Sequence, residues 1–451
     1  MSAVKDSGSR DSFTEGSVLR SLLTFSVPFL ISSFLQTFYG LADLFITGQF
    51  NGAASITAVS IGSQLMHMLT VMVVGLAMGT TVMIGHSVGA GKPEETARSI
   101  GNTITLFSVC AVVSSVLLLA FSEGILTLLA TPPEAFSETK VYVTVCFAGI
   151  PFITAYNVIS SIYRGLGDTK TPLKFVAAAG VINIILDWIL IGPFGMGACG
   201  AAVATVAAQA FSVVLSAFSL RRLPKEIRCR KQDLSPDPEV FPGLLKVGVP
   251  IMLQDGCIQI SFLVITAIGN MRGVTAAAGI GIVEKIICFL FLVPSSMLSA
   301  TAALCSINEG AGKHDRSREV LRCAILTSVS FGFFTTLFCN FFPVQILSLF
   351  ARNESAVVTA GAQYLRTYVT DSMIAPVHFC FSGYFSACGK SGYSFLHNLL
   401  SILLFRIPGA YYASVLFPAN LGPMGMAAPA GSMFSNLVCL FLYLRMNRIK
   451  K

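Results

Sequence analysis

The sequence predicts an all-α membrane protein with twelve transmembrane helices in two pseudo-symmetric lobes of six. Of its 451 residues, 54% are hydrophobic and 12% are charged, about half the charged share of an ordinary soluble domain. Apolar runs of twenty or more residues recur along the chain, and each can cross a hydrocarbon core of roughly 30 Å. These runs indicate helices, because a membrane barrel would show short alternating segments. Similar motifs also recur about 222 residues apart.

The apolar runs divide into two sets of six, separated by one polar, proline-containing segment. We predict a cytoplasmic tail at 1–17, a first lobe at 18–220, a cytoplasmic linker at 221–242, a second lobe at 243–446 and a cytoplasmic tail at 447–451. The predicted spans are 18–45, 54–84, 99–121, 138–163, 172–192, 198–220, 243–268, 276–304, 320–342, 358–385, 394–416 and 425–446.

Lysine and arginine placement orients the predicted spans. With a cytoplasmic N-terminus, all but six of the 30 Lys and Arg residues fall in the termini and the inside connections. This asymmetry is the positive-inside signature, so we predict a multi-pass protein of the inner or plasma membrane with both termini cytoplasmic. The net charge of +8 is therefore topological, and we expect no nucleic-acid partner. The 12 cysteines lack CxxC pairs and predict no disulfide framework.

The repeat is visible in short motifs. LLTFSVP at 22–28 aligns with LLKVGVP at 244–250, and the GAGK of 89–92 aligns with that of 310–313. A repeat that contains six spans, an even number, has the same orientation in both halves, which is typical of transporters with an axis along the membrane normal and a cavity at the repeat interface.

An acid interrupts the first predicted span. Gln36, Tyr39 and Asp43 follow one another at intervals of three and four, so they share a helix face. A polar stripe in a spanning helix must face protein or water, since lipid offers it no partners. Asp43 aligns with Ile265 in the second repeat, so the carboxyl group is not part of the shared scaffold.

The fifth predicted span offers a partner for this acid. Asn183 and Asp187 lie at i and i+4 on one face, and spans one and five run in the same direction. We expect Asp43 and Asp187 to meet across a cavity in the first lobe, where they either take up a proton or hold Na⁺ together with Asn183. The alternative is that both acids only bond to nearby backbone or hydroxyl groups and stabilise packing.

These motifs, together with Pro28, YRGLGDTKTP at 163–172, NIILDWILI at 183–191 and GACGAAVAT at 197–205, resemble the multidrug and toxic compound extrusion (MATE) family of the MOP flippase superfamily. The resemblance spans about 18–446 and implies a V-shaped fold of two lobes with efflux driven by H⁺ or Na⁺. Carried over, the first-lobe coupling site falls on Gln36, Asp43, Asn183, Asp187 and Thr205, with Asn157 as the corresponding asparagine of the family. Tyr39, which shares the helix face of Gln36 and Asp43, completes the predicted site.

The second lobe departs from the family pattern. Members that bind the coupling ion there carry a seventh-span glutamate, whereas Gln254 and Asp255 here follow Pro250 earlier than that glutamate is expected. Further polar residues lie in its spans, and they form either a buried salt-bridge network or a substrate-binding or gating site. The set is Asp255, Glu284, Lys285, Asp371 and Arg406, with His378 and His397 as titratable neighbours.

The predicted function is secondary active efflux of drugs, organic cations or related small metabolites. We expect a monomer in a lipid bilayer that needs no cofactor beyond its coupling ion and no ATP, since GxxxxGK[ST] does not occur in the sequence. Two alternatives remain. One is a lipid-linked oligosaccharide flippase of the same superfamily. The other is a membrane-embedded enzyme, although the five histidines are scattered without an acid or metal constellation.

Overall fold

The computed structural model describes residues 13–351 and 354–449, and within these ranges every regular element is helical. Residues 1–12 and 450–451 of the two predicted cytoplasmic tails lie outside the described residues. The helices of the first half are α1 (Val18–Phe50), α2 (Ala53–Gly89), α3 (Pro93–Ala120), α4 (Ser122–Leu128), α5 (Pro133–Ala148), α6 (Ile150–Gly165), α7 (Lys170–Ile191) and α8 (Gly197–Leu220).

The second half repeats this order with more interruptions. Its helices are α9 (Val240–Asn270), α10 (Val274–Leu290), α11 (Leu292–Gly310), α12 (His314–Phe341), α13 (Pro343–Ser348), α14 (Ser355–Tyr368), α15 (Asp371–Ala387), α16 (Ser391–Ser401), α17 (Ile407–Leu416), α18 (Gly422–Gly425) and α19 (Ala427–Ile449), with a π-helical turn at Ile402–Arg406.

Ten helical segments within the described ranges are long and apolar enough to cross a membrane, or eleven if the bent pair α5 and α6 counts as one span. Large exposed side chains such as Phe45, Phe334 and Leu437 cover the helices, as expected where lipid replaces water. The protein is therefore a multi-pass membrane protein, in agreement with the predicted fold class.

The prediction of continuous helices at 138–163 and 358–385 was wrong. The first is bent by 49° between Ala148 and Ile150, where Gly149 is followed by Pro151, which lacks the N–H a helix needs. The second is divided between α14 and α15 at residues 369–370. The two breaks match to within two residues in the repeat, because Gly149 corresponds at 222 residues to Asp371, the first residue of α15. Interrupted spans at matching positions of two repeats are typical of transporter binding sites.

The chain forms two compact units. The first contains Val27–Gly248, and the second contains Thr14–Ser26 together with the chain from Val249 onward. In the first unit, a buried cluster joins α1, α2, α5 and α8 around Tyr142 and Phe147. In the second, a buried cluster surrounds Tyr364 and Tyr368.

The polar segment predicted as a linker packs against α3 in the first unit. Asn102 donates a hydrogen bond to the Asp233 carbonyl at 3.2 Å and accepts one from the Asp237 backbone N–H at 2.7 Å. A Cβ at Gly101 would lie 2.2 Å from the same Asp233 carbonyl oxygen. The close approach therefore requires glycine at this point, and the segment is an ordered part of the unit.

Candidate functional site

The two predicted acids are buried next to each other in the first unit. Asp43 on α1 is 3% exposed, and Asp187 on α7 is fully buried. Each carboxyl group lies within interaction range of the other, and Asn183 on α7 also adjoins Asp43. Thr205 on α8 donates its hydroxyl proton to Asp43 Oδ2 at 3.1 Å. The structure thus brings together four predicted residues from three helices.

Most polar atoms of this group have no hydrogen-bond partner in the described chain. Oδ1 of Asp43, both carboxyl oxygens of Asp187 and both side-chain polar atoms of Asn183 are buried and unbonded. A buried polar group without a partner costs about 1–3 kcal/mol, and a charged one costs more. Apart from the bond from Thr205 to Asp43 Oδ2, the hydrogen-bonding capacity of these acids is left unused in the described chain. This leaves oxygen atoms able to take a proton or a hard cation.

Tyr39 and Gln36 extend the polar face of α1 away from the acids. The Tyr39 hydroxyl accepts a hydrogen bond from Gln209 Nε2 on α8 at 3.2 Å. Gln36 adjoins the Tyr156 hydroxyl on α6. Gln209 lies four residues after Thr205 and therefore on the same helix face. Sequence reasoning missed Gln209, although an amide at this spacing in an apolar span is the signal that would have found it.

The side chain of Asn157 forms its hydrogen bond within its own helix and not with the acids. It is buried on α6, and its Nδ2 donates to the Ile153 carbonyl of its own helix at 2.8 Å. Among the contacts of the described residues, none joins Asn157 to Asp43 or Asp187. Tyr142, which the sequence did not single out, lies within electrostatic range of the Asp43 carboxyl group. Its hydroxyl group forms a hydrogen bond with Ser63 Oγ at 3.1 Å.

The second unit brings together part of its predicted polar set. Arg406 is near both Glu284 and Asp371, but within the described ranges no ion pair of 4.0 Å or less joins them. Arg406 donates to the Tyr368 hydroxyl at 3.0 Å, and its guanidinium lies 4.6 Å from the centre of the Phe262 ring.

The other two members of that set lie differently. Lys285 is exposed on α10, one residue beyond the partly buried Glu284, and its charge lies within electrostatic range of that acid without an ion pair of 4.0 Å or less among the described residues. Asp255 adjoins the side chain of Gln254 on α9. The predicted cluster is therefore a looser group centred on Arg406, which ends a π-helical turn. Such turns occur frequently at functional sites.

The two buried histidines of the second unit form a separate pair. The rings of His378 and His397 are 5.4 Å apart, and Ser382 Oγ lies 3.0 Å from His397 Nε2. Their Nδ1 atoms are buried without a hydrogen-bond partner among the described groups.

Comparison with known proteins places this chain in a family. The family model described as MatE matches residues 28–189 and again 250–412. Its two matches begin 222 residues apart, which confirms the internal repeat. Together they cover well over half of the chain, so the fold and the paired acids belong to a transporter of this architecture. The chain belongs to the MatE family, as the sequence resemblance predicts.

Several relatives share its full length. A protein described as a probable multidrug resistance protein, YpnP of Bacillus subtilis, is 28% identical over 449 residues, 97% of each chain. Another with that description, NorM of Thermotoga maritima, is 23% identical over 95% of this chain and 92% of its own. A solved structure described as the outward-facing conformation of a multidrug resistance MATE family transporter of the MOP superfamily has a TM-score of 0.89 at 22% identity, over 99% of this chain and 100% of that one. Membership of this transporter family excludes the membrane-embedded enzyme.

Proposed function

We propose that the protein exports small amphipathic or cationic compounds in exchange for H⁺ or Na⁺, which binds at Asp43 and Asp187. The observation that carries the proposal is the group of five buried, unbonded polar atoms on Asp43, Asn183 and Asp187. The relatives described as multidrug resistance proteins support the substrate class.

Cation uptake is the step that the paired acids would perform. Two carboxyl groups in an apolar surrounding repel each other when both are ionised, and a bound proton or Na⁺ removes that repulsion. Carboxylate, amide and hydroxyl oxygens from Asp43, Asp187, Asn183 and Thr205 suit Na⁺ as a hard cation. Occupation of this site would let α1, α7 and α8 pack more closely, and substrate would leave toward the outside during that change.

A membrane gradient is sufficient for such export. One charge that crosses about 150 mV supplies roughly 3.5 kcal/mol, which sustains a substrate gradient of a few hundred-fold. The proposal therefore needs no ATP. It places a monomer in the inner or plasma membrane with both termini in the cytoplasm, following the distribution of Lys and Arg. The group around Arg406 stays a candidate for substrate contact or gating.

Transport by purified protein in liposomes tests this proposal. Export of a cationic dye such as ethidium is measured under an imposed pH gradient without Na⁺ and under an imposed Na⁺ gradient at equal pH. We expect one gradient to drive export and Asp43→Asn to abolish it. Asp315→Asn is the matched control, because Asp315 is an exposed acid whose carboxylate pairs with Arg318 outside the spans. Gradient-driven export that survives in Asp43→Asn would refute the proposal.

A further inference from the structure

A cavity of about 300 Å³ lies at one end of the first unit. It is an open cleft bordered by the residue that follows α1, the beginnings of α2 and α8, one face of α5 and the turn at 192–197. Glu138 is the one charged residue among the described residues that line it, and Cys199 is the other titratable one. Under the proposed topology this end faces the outside.

Three oxygen atoms converge on one point of this cavity. A Cβ placed on Gly197 would lie 3.5 Å from Asn51 Oδ1, 3.6 Å from Ser55 Oγ and 4.0 Å from Glu138 Oε2. Gly197 has no side chain, and its φ of +56° is one that other residues rarely adopt. The glycine thus leaves open a space that is bordered by a carboxylate, an amide oxygen and a hydroxyl.

Two polar atoms at this point have bonding capacity to spare. Glu138 Oε2 and Asn51 Nδ2 are buried, and neither has a hydrogen-bond partner among the described groups; Oε2 is able to ligate a cation, whereas Nδ2 is an N–H donor and is not. A carboxylate oxygen that is shielded from water and left unbonded favours a cation beside it. Together with the Asn51 and Ser55 oxygens, it forms the ligand type that small hard cations prefer.

The charges around Glu138 leave it as the group that faces the cavity. Lys140, two residues further along α5, forms an ion pair with Glu123 of α4. Glu134, one turn before Glu138, is exposed at the start of α5. No charged residue of α1, α2, α8 or the 192–197 turn lines the cavity, as far as the chain is described.

The cavity lies on the helix faces that carry the paired acids. Asp43 and Thr47 share one face of α1, and Asn51, the first residue after α1, continues their spacing of four. Thr47 Oγ1 donates to the Asp43 carbonyl at 2.8 Å, and the Asn51 backbone N–H donates to the Thr47 carbonyl at 2.9 Å. Eight residues of helix span about 12 Å. Gly197 and Thr205 are separated by the same eight residues on α8.

We infer that Asn51, Ser55 and Glu138 form an outer cation site that captures the small, hard monovalent coupling cation before it reaches Asp43 and Asp187. This inference rests on the proposed function, because a cation can be captured in the cavity on its way to Asp43 and Asp187 only if those acids bind the coupling cation. The Glu138 charge raises the local cation concentration at the outer end of α1 and α8, and the Asn51 and Ser55 oxygens hold the cation by coordination. Na⁺ would be held by all three oxygens, whereas H⁺ would bind to the Glu138 carboxylate alone.

Cation titration of transport tests the inference. In proteoliposomes, the initial rate of dye transport is measured against external Na⁺ at constant pH and against external pH without Na⁺. We expect Glu138→Gln to raise the half-saturating concentration of the coupling cation about tenfold, since it removes one charged ligand, and to leave the maximal rate unchanged. Asp43→Asn should be inactive even at saturating cation.

A second variant tests the site through its space rather than its charge. Gly197→Ala places a methyl group against the three oxygens and should raise the half-saturating concentration in the same direction. Gly389→Ala is the control for backbone strain, because Gly389 has a φ of +68° and open space where its Cβ would lie. Trp188, the single tryptophan of the chain, provides a binding readout in purified protein, because its ring packs 5.0 Å from that of Phe50, next to Asn51.

The possible outcomes separate the two proposals. Equal half-saturating concentrations and equal Trp188 titrations in wild type and Glu138→Gln would overturn the outer site and leave the paired acids untouched. Transport that ignores both cations in the wild type, or persists in Asp43→Asn, would instead overturn the proposed function. A shift in Glu138→Gln and Gly197→Ala, with none in Gly389→Ala, supports the outer site.

Discussion

Replacement of Thr205 by valine isolates a single hydrogen bond of the proposed coupling site. Valine has nearly the shape of threonine but cannot donate to Asp43 Oδ2, the carboxyl oxygen that Thr205 reaches at 3.1 Å. Within the described part of the chain, the Thr205 bond is the one side-chain hydrogen bond to Asp43 with ordinary distance and angle, although Asn183 and Asp187 lie close to the same carboxyl group. A hydrogen bond to a charged group contributes about 1.5–3 kcal/mol, which corresponds to a roughly ten- to hundredfold change in cation affinity.

The sign of that change identifies the coupling cation. If Na⁺ is the cation, Thr205→Val should raise its half-saturating concentration, because an oxygen ligand is lost. If H⁺ is the cation, the half-saturating proton concentration should fall, because the ionised carboxylate loses the donor that stabilises it. The measurement is the initial rate of dye transport in proteoliposomes as external Na⁺ or external pH is varied.

Two further variants control this experiment. Thr205→Ser keeps the hydroxyl and should behave like the wild type. Thr327→Val is the matched control, because Thr327 is a partly buried threonine whose hydroxyl bonds to the Cys323 carbonyl of its own helix. Wild-type titrations in Thr205→Val, together with complete inactivity of Asp43→Asn, would show that Thr205 takes no part in cation binding and would refute the reasoning.

Two predictions concern stability and are measured as apparent melting temperatures in detergent. We expect Gly79→Ala to destabilise by about 1–3 kcal/mol, because its Cβ would lie 2.2 Å from the Leu244 carbonyl oxygen, whereas Gly281→Ala meets open space and should not destabilise; equal melting of the two variants would contradict this. The hydrogen bond and charge of Lys140 lower the pKa of the Glu123 carboxyl group. Any contribution of this exposed pair to the free energy of unfolding is therefore fully present at pH values above the ordinary carboxyl pKa, and it is lost as pH falls through the lowered pKa. Lys140→Met should therefore differ little from the wild type at pH 7, the difference should shrink as pH falls through the acid range, and a difference that grows toward acid would contradict the assignment.

The sequence was most informative where a residue conflicts with its surroundings. Asp43 and Asp187 stand out because a carboxyl group in an apolar span is costly, and their helical spacing relative to Tyr39 and Asn183 indicated which faces they occupy. Their meeting in the structure follows from those faces and from the shared direction of the two spans. The internal repeat was equally visible, because glycine and proline motifs at turns survive in both halves.

Features that depend on tertiary packing were not predictable in the same way. Hydropathy cannot show whether a span is one helix or two, so the breaks near Gly149 and Asp371 were missed, even though Pro151 marks the first. Glu138 is the first residue of a predicted span, and the sequence did not single it out. Only the fold brings it opposite Gly197 and Asn51. The position of a charged side chain relative to a cavity depends on how neighbouring helices pack, and a local sequence pattern does not predict that packing.

The buried acids of the two repeats differ in whether a basic side chain lies near them. This difference supports the proposal that the coupling cation binds in the first unit. In the second unit, Arg406 supplies a permanent positive charge near Asp371 and Glu284. In the first unit, Asp43 and Asp187 have each other, Asn183 and the Thr205 hydroxyl, and none of these is cationic. A carboxyl group with a built-in guanidinium nearby has less need of an external cation. Under the proposed function, the acids that lack one obtain their positive charge from solution, and a site that depends on a charge from solution is able to respond to a gradient.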